Sequence, residues 1–372
     1  MGRSFRIGKI FGIPLMLDIT FFLIFLFITV TLSIDVFPSL NNNWPTSYYW
    51  IVGIATSLLC FASLIAHETA HSIVSKRAGI PVISITLFLL GGVAQISKEI
   101  TKPKTELVMA LAGPLCSAAL SGVFLGLSYI FDEVNVYLSA LCFYIFYWNL
   151  ILAAFNMIPG FPMDGGRVLR SIVWMVRKDY VQATRIAVNV GYVAFIGFIL
   201  YGIWLIAHNN LLGGGMFIFM GFYLISSARA NYQQLSMREN LKGIAARDVM
   251  SMELQRVPRN LNIMDLVDGI LLRSPSQAFL VTDGESIVGV LTIWQIRRVP
   301  QQQRSLTTVA QIMIPIEELK KVRPTDEALY ALGLMENAQD DMVAVTDDGR
   351  IIGVISRNSV FGFAQRRQVL KG

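Results

Sequence analysis

Residues 48–74 read YYWIVGIATSLLCFASLIAHETAHSIV. The run is long enough to cross a bilayer, which needs about 20 predominantly apolar residues. It nevertheless carries His67, Glu68 and His71 within five positions. An ionisable side chain at the centre of a membrane helix costs roughly 2.5–3.5 kcal/mol and is rare unless it has a task. The stretch therefore predicts a spanning helix with a working polar end. The bland alternative is a histidine pair that faces a wet cavity and serves helix packing only.

Five further segments meet the same length, near 14–34, 106–131, 136–158, 184–207 and 211–229. The composition agrees: 54% of the 372 residues are hydrophobic and 15% charged, with mean hydropathy +0.56. Soluble globular chains carry about 25% charged residues, so a wholly soluble enzyme and a disordered chain are both excluded. Cys60, Cys116 and Cys142 all sit in apolar runs, which predicts small buried hydrophobes rather than a disulfide framework. No small-residue cleavage site follows 14–34, and Asp18 interrupts it. It reads as a retained helix, not a cleaved signal.

Positive charge supplies an orientation. Arg3, Arg6 and Lys9 precede the first span, and Lys76, Arg77, Lys98, Lys102 and Lys104 fill the second connection. The fourth holds Arg167, Arg170, Arg177, Lys178 and Arg185, and Arg229 follows the sixth span. The connections near 35–47, 132–135 and 208–213 contain no lysine or arginine. The asymmetry predicts a multi-pass protein of the cell membrane with both termini cytoplasmic. The net charge of +6 then follows from topology, and no nucleic-acid partner is expected. Between spans two and three, Ile80–Ile96 reads IPVISITLFLLGGVAQI. It is too short to span and rich in β-branched residues. A re-entrant hairpin or edge strand is predicted, since non-helical backbone at membrane depth must be covered or line a cavity. A loop strand without a role is the alternative.

His67 and His71 stand four residues apart, one turn on one helix face. Both imidazoles can reach one metal, with Glu68 placed to polarise water, as in zincin-type hydrolysis. A catalytic zinc takes three protein ligands and keeps a fourth position open. His208, the remaining histidine, falls at the opposite membrane face by the charge argument and reads as interfacial. The better candidate lies in 156–167, NMIPGFPMDGGR. Pro159 and Pro162 break the fourth span, Gly165 and Gly166 permit a tight turn, and Asp164 is presented at membrane depth. The alternative is that Asp164 caps the next helix, with Gly165 as its first residue.

After about residue 235 the composition turns ordinary, and residues 246–300 and 309–364 repeat one another. Arg247–Met250 matches Ala310–Met313, Phe279–Asp283 matches Val343–Asp347, and Gly289–Thr292 matches Gly353–Ser356. A repeat of this length with β-α-β-β-α order should pair with its copy around a shared core. It resembles a tandem pair of CBS modules. That resemblance implies an adenine nucleotide ligand or a homodimer through the pair. In nucleotide-binding copies a Gly-x-x-Thr/Ser-x-x-Asp signature contacts the ribose and phosphates, and here Gln295 and Ser359 occupy its acidic position. A dimerising or docking module without ligand is the other reading.

The membrane HExxH, the Gly91–Ala94 segment, Ala112-Gly113-Pro114 and the NxxPxxPxDGG run from Asn156 together resemble the site-2 protease family, in its branch with a C-terminal CBS pair. The resemblance covers essentially the whole chain. It implies a six-helix membrane domain (1–230) with a short re-entrant β segment, a linker (231–242), and a soluble α/β CBS pair (243–300 and 305–366). It also implies His67, His71 and Asp164 as ligands of one Zn²⁺, Glu68 as general base, and Asn156 as a partner of the tetrahedral intermediate. Gly91, Gly92, Val93 and Ala94 match a segment held to pair with unwound substrate, a single-span protein cut within the lipid bilayer. Two other classes compete. In a CBS-regulated transporter, His67, Glu68, His71 and Asp164 would bind the transported cation, but two related halves with broken helices are missing from the sequence. In a membrane-anchored CBS sensor, the buried ionisable groups would have no purpose.

Overall fold

The computed structural model describes residues 4–40, 43–88, 91–96, 100–251, 255–271, 278–336 and 342–371. The chain forms two compact units, Met1–Gln233 and Gln234–Gly372.

The first unit opens with a hairpin, β1 (Ser4–Ile10) and β2 (Ile13–Asp18). A first apolar helical span follows, α1 (Thr20–Thr31), a π turn at Leu32–Val36 and α2 (Phe37–Leu40). Next come α3 (Thr46–Arg77), β3 (Val82–Phe88), β4 (Gly91–Ile96), α4 (Pro103–Asp132) and α5 (Val136–Asn156). A shorter helix, α6 (Asp164–Arg177), then α7 (Tyr180–Ala207) and α8 (Leu211–Leu241) follow, and the last residues of α8 belong to the second unit. Six helical stretches are long and apolar enough to cross a membrane: Thr20–Leu40, α3, α4, α5, α7 and α8. Helix α6 is not among them. It carries Arg167, Arg170 and Arg177, the charges expected in the fourth connection.

The expected first helix at 14–34 needs correction. Its first residues form β2, where Ile13, Leu15 and Leu17 are buried and Pro14, Met16 and Asp18 are half-exposed. This period-two pattern is disguised in the sequence because Pro14 and Met16 are apolar too. Asp18 closes the strand. Its carboxylate accepts from the Thr20 backbone N–H at 3.0 Å and from Thr20 Oγ1 at 2.8 Å, which holds it below the usual carboxylate range.

The sheet runs β1-β2-β3-β4. Strands β2 and β3 are parallel, pairing Leu15 with Ile85 and Leu17 with Leu87. Strands β3 and β4 are antiparallel, pairing Phe88 with Gly91 and Val82 with Ile96. Ile13, Leu15, Leu17, Ile85 and Leu87 pack with Phe61 and Leu64 of α3. The sheet therefore rests on the helix that carries the HExxH residues, with β4 as its edge strand among the described residues.

The second unit contains α9 (Ala246–Val249), β5 (Gln255–Pro258), α10 (Ile263–Gly269), β6 (Ala278–Asp283), β7 (Ser286–Thr292) and α11 (Ile293–Arg298). It continues with α12 (Val309–Ile312), β8 (Ile314–Pro315), β9 (Lys321–Val322), α13 (Ala328–Glu336), β10 (Met342–Asp347), β11 (Arg350–Ser356) and α14 (Arg357–Lys371). The two copies share their register: Ala278 faces Thr292 as Met342 faces Ser356, and each hairpin bulges at the same place, after Val281 and after Val345. Their leading segments are exchanged. Ala246 N–H donates to the Asp326 carbonyl, and Leu241, Ala246 and Val249 join the core of the second copy. Val309 joins the core of the first. The residues between, 231–241, where a linker was expected, continue α8 as helix.

Candidate active site

Helix α3 carries His67 and His71 one turn apart, both buried, at 2% and 6% exposure. Helix α6 brings Asp164 to them across the sequence. Asp164 Oδ2 lies 3.2 Å from His67 Nε2 and 3.1 Å from His71 Nε2, and the two Nε2 atoms are 3.2 Å apart. The capping alternative for Asp164 fails. Helix α6 begins at Asp164 itself, with Met163 in the cap position and no side-chain cap bond. The carboxylate points at the imidazoles instead.

Helix α4 orients both rings. His71 Nδ1 lies 2.6 Å from the Met109 carbonyl. A carbonyl only accepts, so Nδ1 carries a proton, and in the neutral ring Nε2 then presents a lone pair. His67 Nδ1 lies 2.9 Å from Ser117 Oγ. Met109 and Ser117 bracket Gly113, and the spacing of four puts all three on one face of α4. A Cβ on Gly113 would stand 2.2 Å from His71 Nε2 and 2.5 Å from His67 Nε2. Only the absence of a side chain there leaves room beside the two nitrogens. Gly113 belongs to the Ala112-Gly113-Pro114 motif, though no role was read for it; Met109 and Ser117 were not found from the sequence. Four-residue spacing recurs in every helix and does not single them out.

The donor set suits a zinc ion. With both rings neutral, the two Nε2 lone pairs and the carboxylate oxygen converge on one point, an arrangement that a cation relieves. Tetrahedral zinc with bonds of about 2.0–2.1 Å would hold neighbouring donors about 3.3 Å apart, close to the separations found. Two imidazoles and one carboxylate are a catalytic-type set that leaves a position open.

Glu68 is half-buried and lies against β4: a Cβ on Gly92 would come within 2.7 Å of Glu68 Cγ and 3.2 Å of Cδ. The GGVA segment, Gly91 to Ala94, is the first part of β4, with Val93 exposed at 51%. Asn156 ends α5, half-buried, and its Nδ2 donates to the Leu152 carbonyl of its own helix at 2.9 Å. Among the described residues no hydrogen bond joins it to His67, His71 or Asp164. His208 stands apart and exposed, with Nδ1 on the Trp204 carbonyl at 2.8 Å. The three cysteines are free thiols.

Residues 55–135 and 131–198 match Peptidase family M50, and residues 309–365 match the CBS domain. The zinc metalloprotease MJ0392 of Methanocaldococcus jannaschii is 31% identical over 97% of this chain and 96% of its own length. The sll0528 protein of Synechocystis sp., whose name marks it as a candidate zinc metalloprotease, is 32% identical over 97% of this chain and 95% of its own. A solved site-2 protease from Methanocaldococcus jannaschii is 34% identical, covering 61% of this chain and 94% of that one, with a TM-score of 0.43. This chain therefore belongs to peptidase family M50, the site-2 protease family of intramembrane zinc metalloproteases, and carries a CBS module after its membrane helices.

Proposed function

We propose that His67, His71 and Asp164 hold the zinc of this protease and that Glu68 is its general base and acid. The observation that carries the reading is the convergence of three donor atoms within 3.2 Å of one another, one residue along the helix from Glu68. When bound there, zinc supplies a Lewis acid that polarises the scissile carbonyl and makes water acidic near neutral pH. The residues do the rest. Glu68 accepts the proton of the attacking water and later delivers it to the leaving amine. Met109 and Ser117 keep the imidazole lone pairs aimed at one point. Asn156 stabilises the oxyanion once its amide leaves the Leu152 carbonyl.

A peptide bond inside a helix in lipid has its carbonyl already hydrogen-bonded and no water near it. The substrate must therefore unwind. We propose a single-span protein that enters laterally and adds as a strand to the edge strand β4. Gly92 lets β4 itself lie directly on the Glu68 side chain, so a strand that pairs with β4 arrives beside the proton carrier. Both termini lie in the cytoplasm by the lysine and arginine asymmetry, which reporters fused to each end would read.

The test is metal content. The purified chain should hold one zinc. His67→Ala, His71→Ala and Asp164→Ala should each lose it, and His208→Ala should keep it. Full zinc in Asp164→Ala would remove the third ligand and the reading with it.

The CBS module has a second reading as an adenine nucleotide sensor. A cleft lined by Thr292, Trp294, Met342, Ser356, Arg357 and Phe361 lies between the two copies and favours it. The residues at the family's acidic position speak for a docking or dimerising role instead. Gln295 Oε1 accepts from Thr292 N–H and Oγ1, and Ser359 Oγ accepts from Ser356 N–H. Both side chains are spent on helix starts. Calorimetry with ATP, ADP and AMP is expected to give no heat at millimolar concentration; saturable binding would restore the sensor.

A further inference from the structure

Glu106 and Arg170 take no part in the chemistry above, yet they form the one buried arginine–carboxylate pair among the described residues. Glu106 lies in the first turn of α4 and is fully enclosed, and Arg170 of α6 is 8% exposed. Arg170 Nε donates to Glu106 Oε1 at 2.8 Å, and Nη2 donates to the same oxygen. The guanidinium carbon also lies 4.6 Å from the Phe161 ring centroid and 4.7 Å from that of Tyr180. Cation–π contact adds to the hold. One side chain thus ties together α4, the loop that leads to Asp164, α6 and the start of α7.

The placement matters because the three donor atoms come from only two elements. Helix α3 supplies both imidazoles and is tied to α4 through Met109 and Ser117. Helix α6 supplies the carboxylate. Among the described residues, the hydrogen bonds from α6 to α4 are those of Arg170 to Glu106. Glu106, Met109, Gly113 and Ser117 follow one another at helical spacing on the same face of α4. That face meets the imidazoles at one end and Arg170 at the other. A buried ion pair is a poor device for stability alone, since an apolar replacement often does as well, whereas holding one arrangement against others is its best-supported use.

We propose that Glu106 and Arg170 are positioning residues for the zinc site: they fix the frame of α6, and so the Asp164 carboxylate, against the two imidazoles. The proposal rests on the ligand assignment made above. Its test uses the full chain in detergent, stripped of metal, with zinc affinity measured by competition against a chromophoric chelator. All variants are compared at one temperature below their melting transitions, and metal-free melting is recorded separately. Glu106→Gln and Arg170→Gln are each expected to weaken zinc binding about 10- to 100-fold, the range for residues that orient metal ligands. The double variant should be no weaker than the poorer single one, because it strands no unpaired charge. If the single variants do not fold, the double variant decides, with an expected loss of at least about tenfold. Zinc affinity within about twofold of the parent, whatever happens to melting, would overturn the proposal and leave the pair a structural one. His67→Ala separates the two ideas: if it kept zinc, the ligand assignment would be at fault and not the positioning role.

Discussion

Glu68→Gln is expected to lower kcat/KM for cleavage of a membrane substrate by about 10²- to 10⁴-fold, the share of a general acid–base group, while one zinc per chain stays bound. The amide has the shape of the carboxylate. It can still lie beside Gly92, where a Cβ would come within 2.7 Å of Glu68 Cγ. It cannot take up a proton or return one. Glu68 is not one of the three converging donors, which are His67, His71 and Asp164, so the metal is kept. Single-turnover cleavage beside metal analysis reads both quantities. Unchanged cleavage would discard the role of Glu68. Loss of zinc together with activity would make Glu68 a ligand or a structural support. Metal flux without cleavage in either protein would return the transporter reading.

Gly113→Ala should abolish both zinc binding and cleavage, a loss of more than about 100-fold in affinity. That exceeds the cost of disturbing a group that only orients a ligand, because the imidazole nitrogens proposed as ligands are themselves struck. The new methyl group would stand 2.2 Å from His71 Nε2, 2.5 Å from His67 Nε2 and 2.7 Å from His71 Cε1. Neither ring can step aside cheaply. One is held by the Met109 carbonyl and the other by Ser117 Oγ, and the methyl sits on a packed helix. Gly122→Ala and Gly126→Ala on the same helix are the controls, since a Cβ at either meets nothing within 4 Å. They should keep zinc and gain up to about 1 kcal/mol of helix preference. Zinc held by Gly113→Ala at parental affinity would mean that the imidazoles sit elsewhere in the working enzyme.

Much of this was legible in the residues. The HETAH run inside an apolar stretch announced both a span and a site, because lipid makes idle ionisable groups costly. Length and hydropathy located the other spans to within a few residues at most ends, as with 136–158 against Val136–Asn156. The exceptions have identifiable causes. Strand β2 was read as helix because an apolar residue on its outer face erases the alternation that marks a strand. Helix α8 runs on to Leu241 through polar residues that carry no membrane signal. The exchange of α9 and α12 between the two CBS copies is invisible to a repeat comparison, which aligns each copy with its own leading segment.

The residue types alone settled that this chain lives in a bilayer and that two imidazoles and a carboxylic acid ride one helical turn. Spacing of four along a helix is local geometry and needs no fold. That Asp164 completes the donor set, 93 residues beyond His71, was a matter of three-dimensional packing. So were the vacancy at Gly113, the hold of Ser117 and Met109 on the rings, and the Glu106–Arg170 pair. Each depends on the separation of atoms from different helices, and such distances are decided only when the helices pack against one another.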